Sequence, residues 1–323
     1  MPPAYAMNKS ALSAALLLAV FIVPSYAADF PRKPIRIVTA DAGGGSDFVA
    51  RLIGQGWTAA WGQQVVVDNR GGGTIAGDIV AHAAADGYTL LYYGSTLWLL
   101  PLMRKEMPYD TLNDFAPVTM AVSTPAVLVV HPSVAVKSVR ELIALAKSMP
   151  GKLNYASAAA GTATHLSAEL FKAMAGVDFV RIPYKGTGAA LNELLGGQTQ
   201  LMFAVAASVV AHARAGRLRA LAVTSAQPSP ALPELPTVAA AGLPGYEAVQ
   251  YSGLFAPART PVAIIETLQR EAASVLKKNE VRERLAHLGV EAVGSTPEAF
   301  ASKIRSEVNV LGKVIRDAGI RAD

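Results

Sequence analysis

Short apolar runs, many of them β-branched, alternate with stretches of helical period along almost the whole chain. This alternation constrains the fold more than any other feature of the sequence. Strand-like runs lie at 35–39, 64–67, 89–93, 126–130, 154–156, 179–182, 201–205 and 220–224. Helical patterns fill 48–61, 139–149, 165–175 and 189–195, with two more near the C-terminus at 261–276 and 297–318. A strand followed by a helix of that length and then another strand predicts βαβ units, hence an α/β fold with mainly parallel sheets. Boundary signals agree. Ser138 and Glu141 have capping-box spacing, and Pro150-Gly151 ends the helix that follows. Thr260-Pro261 and Thr296-Pro297 each place a cap residue before a first-turn proline.

The first residues are read separately. Lys9 precedes an apolar run over 11–23, and Ser25-Tyr26-Ala27 supplies small residues at the −3 and −1 positions, so 1–27 reads as a signal peptide cleaved after Ala27. The run is short of the roughly 20 residues of a spanning helix, and the product is expected to be exported and periplasmic. There is no cysteine, which removes disulfides and thiolate chemistry. A chain this long can bury a large core without them. The net charge of +5 is spread thinly, with no basic run, so nucleic acid is not an expected partner. Length suggests two domains, yet no Ser/Gly linker divides the chain, and the Pro-rich stretch 228–244 reads as an extended surface crossover.

Chemistry is concentrated in the turns that follow the strands. The sequence AGGGSD joins the first strand to the first helix. Glycine permits a sharp turn there and brings backbone N–H groups near a ligand, while the helix start presents unpaired N–H groups to an anion. The three glycines alone fit equally well a simple tight turn capped by Asp47. Similar turns recur at Tyr93-Gly94-Ser95-Thr96, at Ser157 through Gly161, Thr162, Thr164 and His165, and at Pro183-Tyr184-Lys185-Gly186-Thr187-Gly188. Ligands of α/β sheets bind at the carboxyl ends of strands, so these turns together favour an anion site. About three or four N–H donors at roughly 1.5–3 kcal/mol each reach the roughly 8 kcal/mol of micromolar binding, before the cost of association.

Other chemistries lack their residues. Neither GxxxxGK[ST] nor GxGxxG is present, and no GxSxG elbow supports a hydrolase built on Ser157 and His165. The histidines are scattered singly, so no metal or other cofactor is expected. Trp57 and Trp61, four apart on the first helix, read as packing residues rather than a ligand cage.

In order, the segments PRKPIRIV, GGGSDFVARL, GQQVVVDNR, ADGYTLLYYGST, YDTLNDFAPVT, GKLNYASAAAGTATHLSAELFKAMAGV, RIPYKGTGAAL and GSTPEAF resemble the receptors of tripartite tricarboxylate transporters, often called Bug receptors. The resemblance covers essentially the whole chain after residue 27. It implies a two-lobed periplasmic-binding-protein (Venus flytrap) fold, binding rather than catalysis, and a small organic acid delivered to membrane permease subunits by a monomer. A sensor that presents the ligand to a signalling partner shares these features. The lobes are expected over about 28–124 plus 223–323, and about 125–222. By the same resemblance the ligand is held by Ala42, Gly43, Gly44, Gly45, Ser46 and Asp47 after the first strand, and by Ser157, Gly161, Thr162, Thr164 and His165, while Asp41 is a further candidate contact at the head of the first loop. Tyr184 and Lys185 stand nearby, and Ser95 joins from its own turn. Where relatives carry PFAPGGGTD this chain reads TADAGGGSD, and Asp41 adds negative charge beside the anion loop. A ligand with an amine, amide or neutral ring near Asp41 is therefore an alternative to a simple dicarboxylate.

Overall fold

The computed structural model describes residues 30–322 except Asp41, Gly72 and Ala231. Residues 1–27, read above as a signal peptide, and Asp41 lie outside the described residues, and so do the expectations placed on them. The amino-terminal half of the fold opens with strand β1 (Ile35–Thr39), helix α1 (Gly45–Trp61), β2 (Val65–Asn69), α2 (Ile75–Ala81) and β3 (Thr89–Gly94). β1 lies between β2 and β3, parallel to both. Helix α1 forms because Val49, Leu52, Ile53 and Trp57 recur at helical spacing and bury one face. Trp57 and Trp61 pack with ring centroids 5.0 Å apart, as their spacing predicts.

A second set of βαβ units follows α4 (Val139–Ser148): β5 (Leu153–Ser157), α5 (Ala163–Ala175), β6 (Phe179–Pro183), α6 (Thr187–Leu195) and β7 (Leu201–Val205). Here β5 is central and parallel to both β6 and β7. Antiparallel pairs all involve two strands that alternation alone does not predict. One is β4 (Phe115–Val130), a strand of 16 residues of which the sequence pattern shows only the end. The other is β9 (Val249–Pro257). β4 pairs with β9 from Phe115 to Pro125, then with β7 and β8 (Arg219–Val223) from Ala126 to Val130. β9 also pairs with β3, so these two strands tie the two βαβ sets together. Pro117 sits at a register shift in β4, and Pro125 sits where β4 changes partners. A residue without an N–H is tolerated at such breaks in the ladder.

Alternate residues of β4 face opposite layers. Leu128 and Val130 join a core that runs from Val38 through Trp98, Phe171 and Phe300, while Val127 and Val129 join a smaller one with Ala190, Leu194 and Met202. The stretch 228–244 is irregular, as expected of a crossover, yet it buries Leu232, Val238 and Leu243 in these cores. Helices α3 (Thr96–Leu99), α7 (Ala206–Arg214), α8 (Val262–Lys277), α9 (Asn279–Ala286) and α10 (Pro297–Asp317) complete the fold with the short strand β10 (Glu291–Ala292). Thr296 caps α10 as expected, accepting from the Ala299 N–H at 3.2 Å. Thr260 does not cap α8: its hydroxyl donates to the Pro257 carbonyl, and Pro261 takes the cap position. Among the described residues no helix is long and apolar enough to cross a membrane.

Candidate functional site

Two strand-to-helix turns share one local design. At the end of β1, Gly43 adopts φ +78°, and its N–H donates to Oδ2 of Asp47 at 2.9 Å. At the end of β5, Gly161 adopts φ +76°, and its N–H donates to Nδ1 of His165 at 3.1 Å. In both, the third helical residue reaches back to the residue before the cap. Glu141 does the same on α4 by accepting from the Lys137 N–H at 2.7 Å. This satisfies a donor that the helix start leaves open and locks the turn.

Asp47 is buried and also receives Asn69 Nδ2 and Arg51 Nε, each at 2.9 Å. Burial works to raise its pKa, but the bonds from Arg51, Gly43 and Asn69 outweigh it and hold the carboxyl below its usual value. His165 is buried as well, and burial first, then the Arg181 charge, push its pKa down to about 4. With Nδ1 accepting from Gly161, the neutral ring carries its proton on Nε2, 3.9 Å from the Glu169 carboxylate. Asp47 is thus taken up by its three donors, and His165 clamps its turn through Nδ1. Ser157 is equally committed, donating to the Ala158 carbonyl and accepting from Arg181 Nε at 2.8 Å. The hydroxyl and the imidazole thus face different partners, which leaves the Ser157 and His165 pair without the hydrogen bond that a nucleophile and base require.

A cavity of about 280 Å³ opens at the carboxyl ends of the parallel strands. Ser95 and Thr96 follow β3, Gly161, Thr162 and Thr164 follow β5, Thr187 follows β6, and Val205 ends β7. Gln250 near the start of β9 and Glu307 on α10 close it, with Leu99, Leu166, Val249 and Leu311 as apolar wall. Of the residues singled out in the sequence, Ser95, Gly161, Thr162 and Thr164 meet in this cavity. Ala42, Gly43, Gly44 and Gly45 are exposed on the same sheet edge, at the end of the neighbouring strand β1, but outside the cavity lining. Ser157 and His165 lie behind the lining. Tyr184 packs against the smaller core and Lys185 is exposed.

Sequence reasoning placed Thr187 in one of the cavity turns without singling it out, and it missed Gln250 and Glu307. For Glu307 a signal existed: Phe300, Ile304, Glu307, Leu311 and Val314 fall on one helical stripe, so an acid occupies a core position. Its Oε2 accepts from Trp98 Nε1 at 2.8 Å and from Ser95 Oγ at 3.3 Å. Burial pushes its pKa up to about 7, against the lowering pull of Trp98, Lys303 and Ser95. Among the described residues no basic side chain lines the cavity, so negative charge on a ligand would have to be met by hydroxyls and by the N–H groups at the starts of α5 and α6. Among the described residues no cluster of three His, Asp or Glu side chains is placed to hold a metal ion.

Comparison with known proteins gives this geometry a family. The family described as tripartite tricarboxylate transporter family receptor matches residues 49–320. Protein BugT of Bordetella pertussis is 38% identical over 304 residues, covering 92% of this chain and 93% of that protein. Among solved structures, R. palustris Rpa4515 with adipate is 35% identical with a TM-score of 0.73, covering 91% of this chain and 99% of the other. MatC of Rhodopseudomonas palustris with bound malate is 31% identical with a TM-score of 0.69, covering 88% and 100%. The architecture is the two-lobed α/β fold of periplasmic solute-binding proteins. By the extent of these matches and the order of its loop motifs, the chain belongs to the tripartite tricarboxylate transporter receptor family.

Proposed function

We propose that this protein captures a small organic acid in the cavity at the strand ends, closes on it by a hinge motion, and delivers it to a membrane permease from the periplasm. The observation that carries the reading is the convergence of hydroxyls and helix starts from separate strand-to-helix turns on one cavity. Such groups favour an anion without a buried arginine. Adipate and malate bound to two of its structural neighbours support a carboxylate as ligand. The proposed contacts are Ser95, Gly161, Thr162 and Thr164, with Thr96, Thr187 and Gln250. The N–H groups of Gly44, Gly45 and Ser46 at the start of α1 form a second donor set for a ligand that extends past Ser95. The lobes are proposed at about 28–124 plus 223–323 and about 125–222. In support, β4 exchanges β9 for β7 between Pro125 and Ala126.

Calorimetric titration of the purified protein with adipate, malate and their monocarboxylate analogues tests the proposal. Saturable binding of at least one acid, unchanged in structure on recovery, is the expected result. Thr187→Val, which keeps the shape and deletes one hydroxyl, should weaken that binding about tenfold, as loss of a hydrogen bond to a charged group does. No binding across the series, or conversion of the acid, would remove the proposal.

A further inference from the structure

The polar groups of the cavity are not all suited to an anion. Glu307 is buried, is the one titratable side chain among the lining residues, and has its two carboxylate oxygens in different situations. Oε2 is fixed by Trp98 Nε1 and Ser95 Oγ, whereas Oε1 has no hydrogen-bond partner among the described residues. Ser95 accepts from the Tyr251 N–H at 3.1 Å, and its single hydroxyl proton is shared between the Tyr251 carbonyl and Oε2, each 3.3 Å away, so Trp98 is the firmer anchor of the carboxylate. Oε1 does not count among the buried polar atoms left without a partner, so it stands open to the cavity, where a donor on a ligand can reach it. A ligand carboxylate placed against the starts of α5 and α6 leaves its far end to share the remaining space with Glu307. A second carboxylate there would repel it, and a hydrogen-bond donor would complete it.

We infer that Glu307 is a specificity-determining residue that selects an organic acid carrying a hydrogen-bond donor, an ammonium above all, at the end opposite its carboxylate. This rests on the carboxylate-receptor reading and narrows it. The selection follows the charge of Glu307, whose pKa lies near 7, so preference for the ammonium strengthens as pH rises through that value. The other charged or titratable groups around it are accounted for. Lys303 on α10 and Glu247 before β9 pair with each other at 2.9 Å, and Tyr251 on β9 donates its hydroxyl proton to Glu247. α3 contributes Ser95 and Trp98, and on α5 His165 is turned back onto Gly161.

Adipate and 6-aminohexanoate differ in one terminal group and serve as probes, with hexanoate as the reference monocarboxylate. At pH 8 the wild type should bind 6-aminohexanoate about tenfold or more tightly than adipate. Glu307→Gln, which removes the charge and can donate to a carboxylate, should abolish or invert that ratio. In the wild type alone, lowering the pH from 8 to 6 should narrow the ratio, so the inference stays testable even if the variant folds poorly. Preference for adipate at pH 8, a ratio unmoved by Glu307→Gln, or a ratio unmoved by pH would each overturn it. If hexanoate and adipate bind while 6-aminohexanoate does not, only this inference falls. If none of the three binds, the receptor reading falls with it.

Discussion

Asp47 and His165 illustrate how one sequence position admits two roles. Both stand at the start of a helix after a small-residue turn, where a ligand contact and a turn clamp call for the same polar side chain. The hydrogen bond to the glycine N–H four residues earlier decides for the clamp in each case. His165 adds a pH dependence. Its folded pKa of about 4 lies below the ordinary 6.5, so the unfolded chain takes up the proton first as pH falls. The stability associated with the neutral ring is complete above pH 6.5 and is lost between 6.5 and about 4, to a total on the order of 3 kcal/mol. Asparagine can still accept from Gly161 but does not titrate. Urea unfolding at pH 7 and pH 4 should show a smaller pH-induced loss for His165→Asn than for the wild type; equal losses would mean that the ring is not buried neutral.

Among the elements, β4 has the widest reach. It is long for a strand, its register shifts twice while it pairs with β9, and it ends inside the other sheet. Prolines at 117 and 125 interrupt its β-pattern in the sequence, which is why only its last residues are legible there. Because the strand is continuous, its two ends should melt together. The three tryptophans lie on α1 and α3, and Trp98 packs against Phe255 and Phe300, so they report on the part of the fold where β4 pairs with β9. Leu128 is fully buried at the far end of the strand, and Leu128→Ala should cost about 2–5 kcal/mol. Tryptophan fluorescence and far-ultraviolet circular dichroism should then shift together to lower denaturant. A fluorescence midpoint that stays put while the dichroism moves would show that the halves unfold independently.

At the scale of the whole molecule, the cavity belongs to no single element. Loops from β3, β5 and β6 meet the start of β9 and the middle of α10, and the proposed closure would need a ligand that engages them together. A ligand shifts that equilibrium only by binding the closed form better than the open one. At a hundredfold excess over its Kd, a bound acid should raise the unfolding free energy by about 2.7 kcal/mol. Small-angle scattering should record a smaller radius of gyration in the same samples. A ligand that raises the melting temperature without compaction would leave binding intact and remove hinge closure from the mechanism.

The local sequence, by itself, determined the α/β class and most of the βαβ strands and their helices, because hydrophobic period and turn residues are properties of short segments. The loop motifs in their order also identified the family. Tertiary structure decided the rest. β9 and the long course of β4 depend on partners remote in the chain, and the division of roles within the loops depends on which hydrogen bonds burial closes off. The acid of the cavity was visible as an anomaly on the apolar stripe of α10, but only the approach of Trp98 and Ser95 from about two hundred residues away turns it into a fixed group with one oxygen to spare.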